Sequence, residues 1–297
     1  MSALVLTLLL GVACAAAWGP GTHLEFEHRV FRRRRERLPA DVARLIESER
    51  RAYQYGNIAA DIVNLKSVGG HYNHCHRWTI VEEMRAHADT DAERAFILGY
   101  LSHLAADTIA HNHFVPYHLA RFARTQGLGH LYWELNADRY VPEERWEVVT
   151  GLKNDASLGE MDRLVWETVP KRAFSKGTNK VIFNHVLLVS EREQWRRGVA
   201  RLHPLAKLKL KKGFLDLFRD AAVERILLAL RPGGVEKLAH LDTNGKDAQK
   251  RAMSTRRWLV RLTAGRKRDR EAEERAATFL EGMQSPPPVD GDAAPHW

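Results

Sequence analysis

The sequence contains only two cysteines among its 297 residues, Cys14 and Cys75. Two cysteines cannot form the disulfide framework that holds many small secreted domains together, so a packed core must stabilise this fold. Hydrophobic residues make up 44% of the chain and charged residues 28%. This composition excludes a chain that is disordered throughout and is long enough to bury a sizeable core.

Long apolar runs are also scarce, since the one clear example falls within residues 1–17 and is too short to span a bilayer. Its leucine-rich centre and its ending, Ala15-Ala16-Ala17, are typical of a secretory signal peptide, although no Lys or Arg precedes it. We therefore expect residues 1–17 to be removed and the mature chain to be exported with Trp18 first. Cys75 would then be the sole cysteine, and we expect it to be a small buried side chain.

Strand-like alternation of apolar and polar residues is missing, whereas apolar residues recur at helical spacing in several segments. The sequence therefore predicts an all-α fold, a multi-helix bundle in which residues 18–283 form a single domain. We interpret Gly151 and Gly177 as turns between helices, and residues 284–297 as a disordered, proline-rich tail. The segments with helical spacing are 91–110, 158–169, 180–189, 214–230 and 248–283.

The helix predicted from residue 91 has a clear start signal. Thr90 precedes it and Glu93 follows three residues later, which is the pattern of a capping box. The helix is apolar on nearly every side except at Ser102, His103 and Asp107. A helix of this kind is buried, and a buried His and Asp on one face need a partner. An isolated pair of this kind can hydrogen-bond to itself and to nearby backbone, or it can bind a metal.

Histidines are concentrated in one part of the chain, because nine of the fifteen lie between His71 and His130. His103 and Asp107 are four residues apart, as are His130 and Glu134. Residues four apart project from the same face of a helix, so each pair can hold one ion. Two such helices facing each other would form a multinuclear metal site between them.

The ordered series His103-x3-Asp107-x5-His113, with Trp18 at the expected mature terminus, resembles the bacterial zinc-dependent phospholipase C family. The series is also similar to the fungal zinc single-strand nucleases, which share that helical fold. The resemblance covers residues 18–140. The spacing from Trp18 to His23 resembles the nucleases, while Glu134 resembles the phospholipases, so both substrate classes stay open.

The resemblance implies a cleft between helices that holds up to three zinc ions, with mixed imidazole and carboxylate ligands. His111 matches no position of the family, so we expect it to line the cleft or to support a ligand. Spacing alone does not choose among His71, His74 and His76, and we prefer His74 or His76 because they adjoin the helix beginning near Arg77. The implied ligands of the first ion are Trp18 and His23. Those of the second are Asp61, His103 and either His74 or His76, and Asp107 would bridge the first ion to the second. Those of the third are His113, His130 and Glu134.

The chemistry implied is hydrolysis of a phosphodiester, because bound zinc lowers the pKa of its water from about 15.7 toward about 7. The family assigns the general base to the position of Asp61, so we expect Asp61 to be catalytic. The favoured substrate is a phospholipid head group. The alternatives are a nuclease with the same metal site and a noncatalytic, metal-stabilised, lipid-binding helical protein.

Positive charge is concentrated toward the C-terminus of this chain of net charge +9. Residues 201–284 carry twenty Lys and Arg against eleven Asp and Glu, whereas residues 18–200 carry twenty-six against twenty-four. Basic runs at 207–212 and 266–270 can contact an anionic membrane surface or nucleic-acid phosphates. Either run can equally be a solvated helix face. No obligate protein partner is evident from the sequence.

Overall fold

The computed structural model describes residues 18–63, 75–122, 133, 136–169, 174–191, 210–262 and 266–284. Within these residues the chain forms thirteen α-helices, short 3₁₀ turns and one π-helical turn, and no strand is present in the same ranges. The prediction of an all-α fold is confirmed. No helix of the described part of the chain is long and apolar enough to cross a membrane.

The helices bury a shared core to which both halves of the chain contribute. Three 3₁₀ turns, Ala60–Ile62, Ala156–Met161 and Thr278–Leu280, and a π-helical turn, Ala110–Phe114, join or end helices. The α-helices are α1 Pro20–Arg37, α2 Ala40–Ser48, α3 Arg50–Ala59, α4 Thr79–Arg85, α5 Asp91–Ile109, α6 Val115–Arg121, α7 Glu143–Lys153, α8 Asp162–Thr168, α9 Lys176–Glu191, α10 Lys212–Ala229, α11 Gly234–Leu238, α12 Lys246–Arg261 and α13 Arg266–Ala277.

Helix α5 begins as the sequence predicts. The Glu93 backbone N–H donates to Thr90 Oγ1 at 3.2 Å, and the Thr90 backbone N–H donates to the Glu93 carboxylate at 3.0 Å. This reciprocal capping box satisfies two of the backbone groups that a helix start leaves without partners. From Tyr100 to Ile109 every side chain of α5 is buried, so the helix passes through the core and carries His103 and Asp107 into it.

Helices α3 and α5 cross with their backbones almost touching, at Gly56 and Gly99. A Cβ built on Gly56 would lie 2.0 Å from the Phe96 carbonyl oxygen, and one on Gly99 would lie 2.1 Å from the Tyr53 carbonyl oxygen. Glycine is therefore required at both positions, because any larger residue would force the helices apart. The close crossing brings α5 next to the end of α3, where Asp61 follows.

A π-helical turn separates α5 from α6. The Val115 N–H donates to the Ala110 carbonyl, five residues back, instead of the usual four. Pro116 explains the interruption, because proline has no N–H and its ring crowds the carbonyl four residues earlier. Turns of this kind recur at functional sites. Here the turn contains His111 and His113.

The segment before α1 is packed tightly against the residues that precede α7. A Cβ on Gly19 would lie 1.9 Å from Asp138 Oδ2, and Thr22 Oγ1 donates to Asp138 Oδ1 at 2.6 Å. Trp18 is completely buried, and its indole Nε1 donates to the Ala106 carbonyl at 3.3 Å. These contacts fix the start of α1 beside α5, one residue away from Asp107.

The predicted turns at two glycines were wrong. Gly151 lies inside α7 and Gly177 inside α9, because neither position needs a backbone conformation that excludes helix. The apolar pattern of residues 248–283 is covered by α12, α13 and the 3₁₀ turn that follows α13. The predicted signal peptide, the side chains of His71, His74, His130 and Glu134, and residues 285–297 of the predicted tail lie outside the described residues.

Candidate metal centre

Five potential ligands from four parts of the chain meet in the core. His23 comes from the first turn of α1, and Asp61 from the 3₁₀ turn after α3. His76 precedes α4, and α5 supplies both His103 and Asp107. Four of these side chains are at most 1% exposed, whereas Asp61 is 22% exposed.

Asp107 lies at the centre of this cluster and is completely buried. Its Oδ2 atom is 3.0 Å from His76 Nε2 and 3.2 Å from His103 Nε2. Its other oxygen, Oδ1, is 3.5 Å from His23 Nε2. Three imidazoles therefore surround one buried carboxylate, each directing Nε2 toward it. The i, i+4 spacing of His103 and Asp107 brings them together on one face of α5, as the sequence predicts.

His103 is held in a defined orientation. Its Nδ1 lies 2.9 Å from the Asn57 carbonyl oxygen at the end of α3, and a carbonyl can only accept, so Nδ1 carries the proton. Nε2 of the neutral ring is then an unprotonated nitrogen. The His23 ring stacks on His103 with centroids 3.9 Å apart and planes 11° apart. A metal-binding histidine commonly has its second nitrogen bonded in this way to backbone or carboxylate.

A bound cation would satisfy this cluster electrostatically. Nε2 of His103 lies 3.0 Å from Nε2 of His76, which brings two ring nitrogens face to face. The oxygens of Asp107 and both ring nitrogens of His23 have no hydrogen-bond partner among the described residues. Buried polar atoms without partners are costly. A metal ion removes this cost, and three imidazoles with two carboxylates are a donor set that suits zinc.

The ligand atoms form two overlapping groups within which all atoms lie within 4.8 Å of one another. One group is His23, Asp61 and His103, and the other is His76, His103 and Asp107. Asp61 Oδ1 is 3.6 Å from His76 Nε2 and 3.9 Å from His103 Nε2, so it closes the cluster on its more exposed side. The described residues can therefore hold a metal.

The pKa directions match the needs of metal binding. Burial alone raises the pKa of a carboxyl group, but His103, His23 and His76 together hold the pKa of Asp107 well below its usual range. Burial lowers the pKa of His23, and the neighbouring His103 lowers it further. Near neutral pH the site thus offers an ionised carboxylate and a neutral imidazole, the protonation states in which these groups bind metals.

Backbone contacts fix the segment that carries His76. The Tyr100 hydroxyl on α5 donates to the Cys75 carbonyl at 2.6 Å. Cys75 is buried, as expected, and its Sγ lies 3.3 Å from His76 Nδ1. Spacing alone did not choose among His71, His74 and His76. The described structure places His76 beside Asp107.

The residues implied for a third ion are not gathered in the described part of the chain. His113, in the π-helical turn, places Nδ1 2.7 Å from the Phe279 carbonyl oxygen, and burial lowers its pKa to about 4. This bond leaves Nε2 as the available ligand atom. The described contacts do not join His113 to Asp107, and its expected partners His130 and Glu134 lie outside the described residues. The Trp18 indole is hydrogen-bonded to the Ala106 carbonyl, next to Asp107.

His111 is a residue that the sequence reasoning left without a ligand role. Its Nε2 lies 3.8 Å from Asp107 Oδ2, and the Nε2 amide of Gln249 lies 3.3 Å from its Nδ1. One signal was present in the sequence, because His111 follows Asp107 by four residues just as Asp107 follows His103. No comparable signal marked Gln249, which is more than a hundred residues away in the chain.

Fold and site together define an all-α protein with a buried cluster of His and Asp side chains that could hold a metal. A family model described as zinc dependent phospholipase C matches residues 22–179, more than half of the chain. The chain therefore belongs to the zinc-dependent phospholipase C family. Searches of curated proteins and of solved structures each found no significant match. The resemblance implied four of the five clustered residues without an alternative, namely His23, Asp61, His103 and Asp107. The fifth, His76, was one of two preferred alternatives.

Proposed function

We propose that this protein is an exported zinc-dependent phosphodiester hydrolase of the phospholipase C type, acting on phospholipid head groups. The observation that carries this proposal is the arrangement of Nε2 atoms from His23, His76 and His103 around Asp107, with Asp61 beside them. Membership of the zinc-dependent phospholipase C family supports the reaction class. Substrate, export and the number of zinc ions are parts of the proposal.

The two groups of ligand atoms share His103, whose Nε2 has a single lone pair and can bind one ion, so the two-oxygen carboxylates of Asp61 and Asp107 are the groups that could bridge to a further ion. We propose up to three ions, the third being held by His113 together with His130 and Glu134. Trp18 would contribute through its backbone amine and carbonyl once the leader is removed. Bound zinc supplies Lewis acidity, which makes a water molecule more acidic and neutralises charge on a phosphoryl group.

The roles of Asp61 and Asp107 in the reaction follow from the difference in exposure between these two carboxylates. Asp107 is completely buried and held by three imidazoles, so it serves as a fixed ligand. Asp61 is the most exposed member of the cluster at 22%, so an oxygen of its carboxylate can face the substrate. We assign to Asp61 the orientation of the attacking water and the acceptance of its proton. His103, fixed by the Asn57 carbonyl, keeps the cluster rigid during this step.

The direct test compares hydrolysis of phosphatidylcholine and of single-stranded DNA by the zinc-loaded protein, the chelated protein and the variants D61N and H103A. We expect turnover of the lipid, loss of turnover after chelation, and a decrease of at least about a hundredfold in D61N with zinc still bound. Full turnover after exhaustive removal of zinc would reject the proposal. Bound zinc with no turnover of either substrate would favour a noncatalytic, metal-stabilised protein.

A nuclease is the second candidate, and the basic surface of α12 is the observation that favours it. Arg257 and Arg261 are both exposed on this helix. Such side chains can neutralise phosphates of nucleic acid or of an anionic membrane. Faster hydrolysis of single-stranded DNA than of phosphatidylcholine in the same assay would establish the nuclease.

Export is proposed from the composition of residues 1–17 and needs a separate measurement. Intact mass spectrometry of the protein secreted by a bacterial host should give the mass of a chain that begins at Trp18. A mass that includes residues 1–17 would reject both export with cleavage and a metal-binding amine at Trp18.

A further inference from the structure

A segment from the C-terminal half of the chain, residues 241–249, lies against the metal centre. It comprises the connection from α11 to α12 and the first turn of α12. We call it the 241–249 clamp. The clamp is outside residues 22–179, the part of the chain that matches the family model. The clamp contacts two histidines of the site, His76 and His111.

The first set of contacts fixes the backbone around His76. The Thr243 hydroxyl donates to the His76 carbonyl, and the Asn244 side-chain amide lies 3.5 Å from the same oxygen. Two residues further on, the Trp78 indole donates to the Leu241 carbonyl at 2.9 Å. Thr243 is buried, so its bond is shielded from water. The clamp thus holds this segment at His76 and Trp78, while Tyr100 of α5 holds it at Cys75.

The second set of contacts fixes His111. The Gln249 side-chain amide donates to the Asn244 carbonyl at 2.9 Å and lies 3.3 Å from His111 Nδ1. The adjacent residue, Asn112, donates through its side chain to the Asp242 carbonyl at 2.7 Å. With Nδ1 occupied, the His111 ring directs Nε2 toward Asp107, 3.8 Å away.

Gly245 shows how closely the clamp approaches the site. Its φ is +59°, in the left-handed region that favours glycine. A Cβ at this position would lie 2.2 Å from the His111 carbonyl oxygen, and no side chain can occupy that space. The backbone of the clamp therefore rests directly on the π-helical turn that carries His111.

From these contacts we infer that the 241–249 clamp is a positioning element of the metal centre, and that Thr243 and Gln249 set the orientations of His76 and His111. The metal centre of this protein is then completed by a segment outside the family-matched region. Residues that orient a ligand commonly contribute ten- to a hundredfold to metal affinity. The inference depends on the proposed metal centre but not on the substrate.

The experiment measures zinc affinity of the full-length protein by competition with a chromophoric chelator. The variants are T243V, which removes the hydroxyl with little change of shape, and Q249A. T243S keeps the donor and is the matched control for the first, while K250A, at a 79% exposed neighbour, is the control for the second. Unfolding of the zinc-free protein is followed in parallel for all variants.

We expect T243V and Q249A to bind zinc about ten- to a hundredfold more weakly, with T243S and K250A close to wild type. The zinc-free stability of Q249A should stay near that of K250A. Wild-type affinity in both T243V and Q249A would overturn the inference, as would a loss of affinity that merely follows a loss of zinc-free stability. Failure of the wild-type protein to bind zinc would overturn the metal centre itself, and this inference with it.

Discussion

Replacing Gly99 by alanine should damage both the fold and the metal centre, although alanine is the better helix former. Gly99 lies inside α5, four residues before His103, where α5 crosses α3. The added Cβ would lie 2.1 Å from the Tyr53 carbonyl oxygen and 2.9 Å from the Gly56 Cα. Both neighbours are backbone atoms, so neither can rotate away.

The magnitude follows from the size of the overlap. Ordinary van der Waals contact begins at 3.4 Å, so α5 must move away from α3 by about 1 Å. Overpacking of this kind costs about 1–3 kcal/mol, and the helix propensity of alanine returns only about 0.5–1 kcal/mol. The same movement stretches the 2.9 Å bond from His103 to the Asn57 carbonyl, at a further cost of about 1–3 kcal/mol. We expect a net loss of about 1–5 kcal/mol.

The assay is chemical denaturation of the zinc-free protein combined with zinc affinity measured by chelator competition. G99A should show the loss of stability and, because His103 is no longer fixed, zinc binding about ten- to a hundredfold weaker. G151A is the matched control. Gly151 also lies inside a helix, but its added Cβ would meet only the ends of the Arg51 side chain, at 3.7 Å and beyond.

G151A should therefore gain about 0.5–1 kcal/mol from helix propensity and bind zinc as the wild type does. The reasoning is refuted if G99A is as stable as the wild-type protein, or if it is destabilised while zinc affinity is unchanged. The second outcome would mean that the crossing of α3 and α5 does not position His103.

Three further predictions concern acid sensitivity, helix capping and metal removal. Burial lowers the pKa of His118 from its usual 6.5 to about 3. The stability that neutral His118 contributes is therefore complete above pH 6.5 and falls by about 2 kcal/mol at pH 5. H118F should lose correspondingly less stability between pH 7 and 5 in denaturation curves, and equal losses in the two proteins would contradict this assignment. T90A should lower the free energy of unfolding by about 1 kcal/mol through loss of the capping box, whereas T90S should not, and equal losses in both would exclude the hydroxyl as the cause. Adding zinc at a thousand times its Kd should stabilise the chelated protein by about 4 kcal/mol in thermal unfolding, and an unchanged Tm would argue against a zinc-binding native state.

Local sequence signals were reliable where the responsible residues are near one another in the chain. The capping box of Thr90 and Glu93 and the pairing of His103 with Asp107 on one helix face are both visible in the sequence and both present in the structure. Each depends on spacings of three or four residues within one helix. The mistaken turn at Gly151 shows the limit of this reasoning, because glycine permits a turn without requiring one.

The parts that sequence reasoning missed depend on tertiary contacts. The separation of His76 from Asp61 does not reveal which histidine faces the cluster, because the backbone around His76 is fixed by Tyr100 of α5 and by Thr243 of the 241–249 clamp. Gln249 gave no signal at all, since an isolated glutamine in an amphipathic helix is ordinary. The family resemblance supplied the ligand set, but it could not supply the clamp, which lies outside the matched residues.

The most direct test of the metal centre is a diffraction experiment on crystals of the zinc-loaded protein, with data recorded on both sides of the zinc absorption edge. We predict an anomalous peak about 2.0–2.2 Å from His103 Nε2, from His76 Nε2 and from an oxygen of Asp107. A zinc peak that appears only elsewhere on the protein, with these imidazoles hydrogen-bonded to Asp107 alone, would contradict the account.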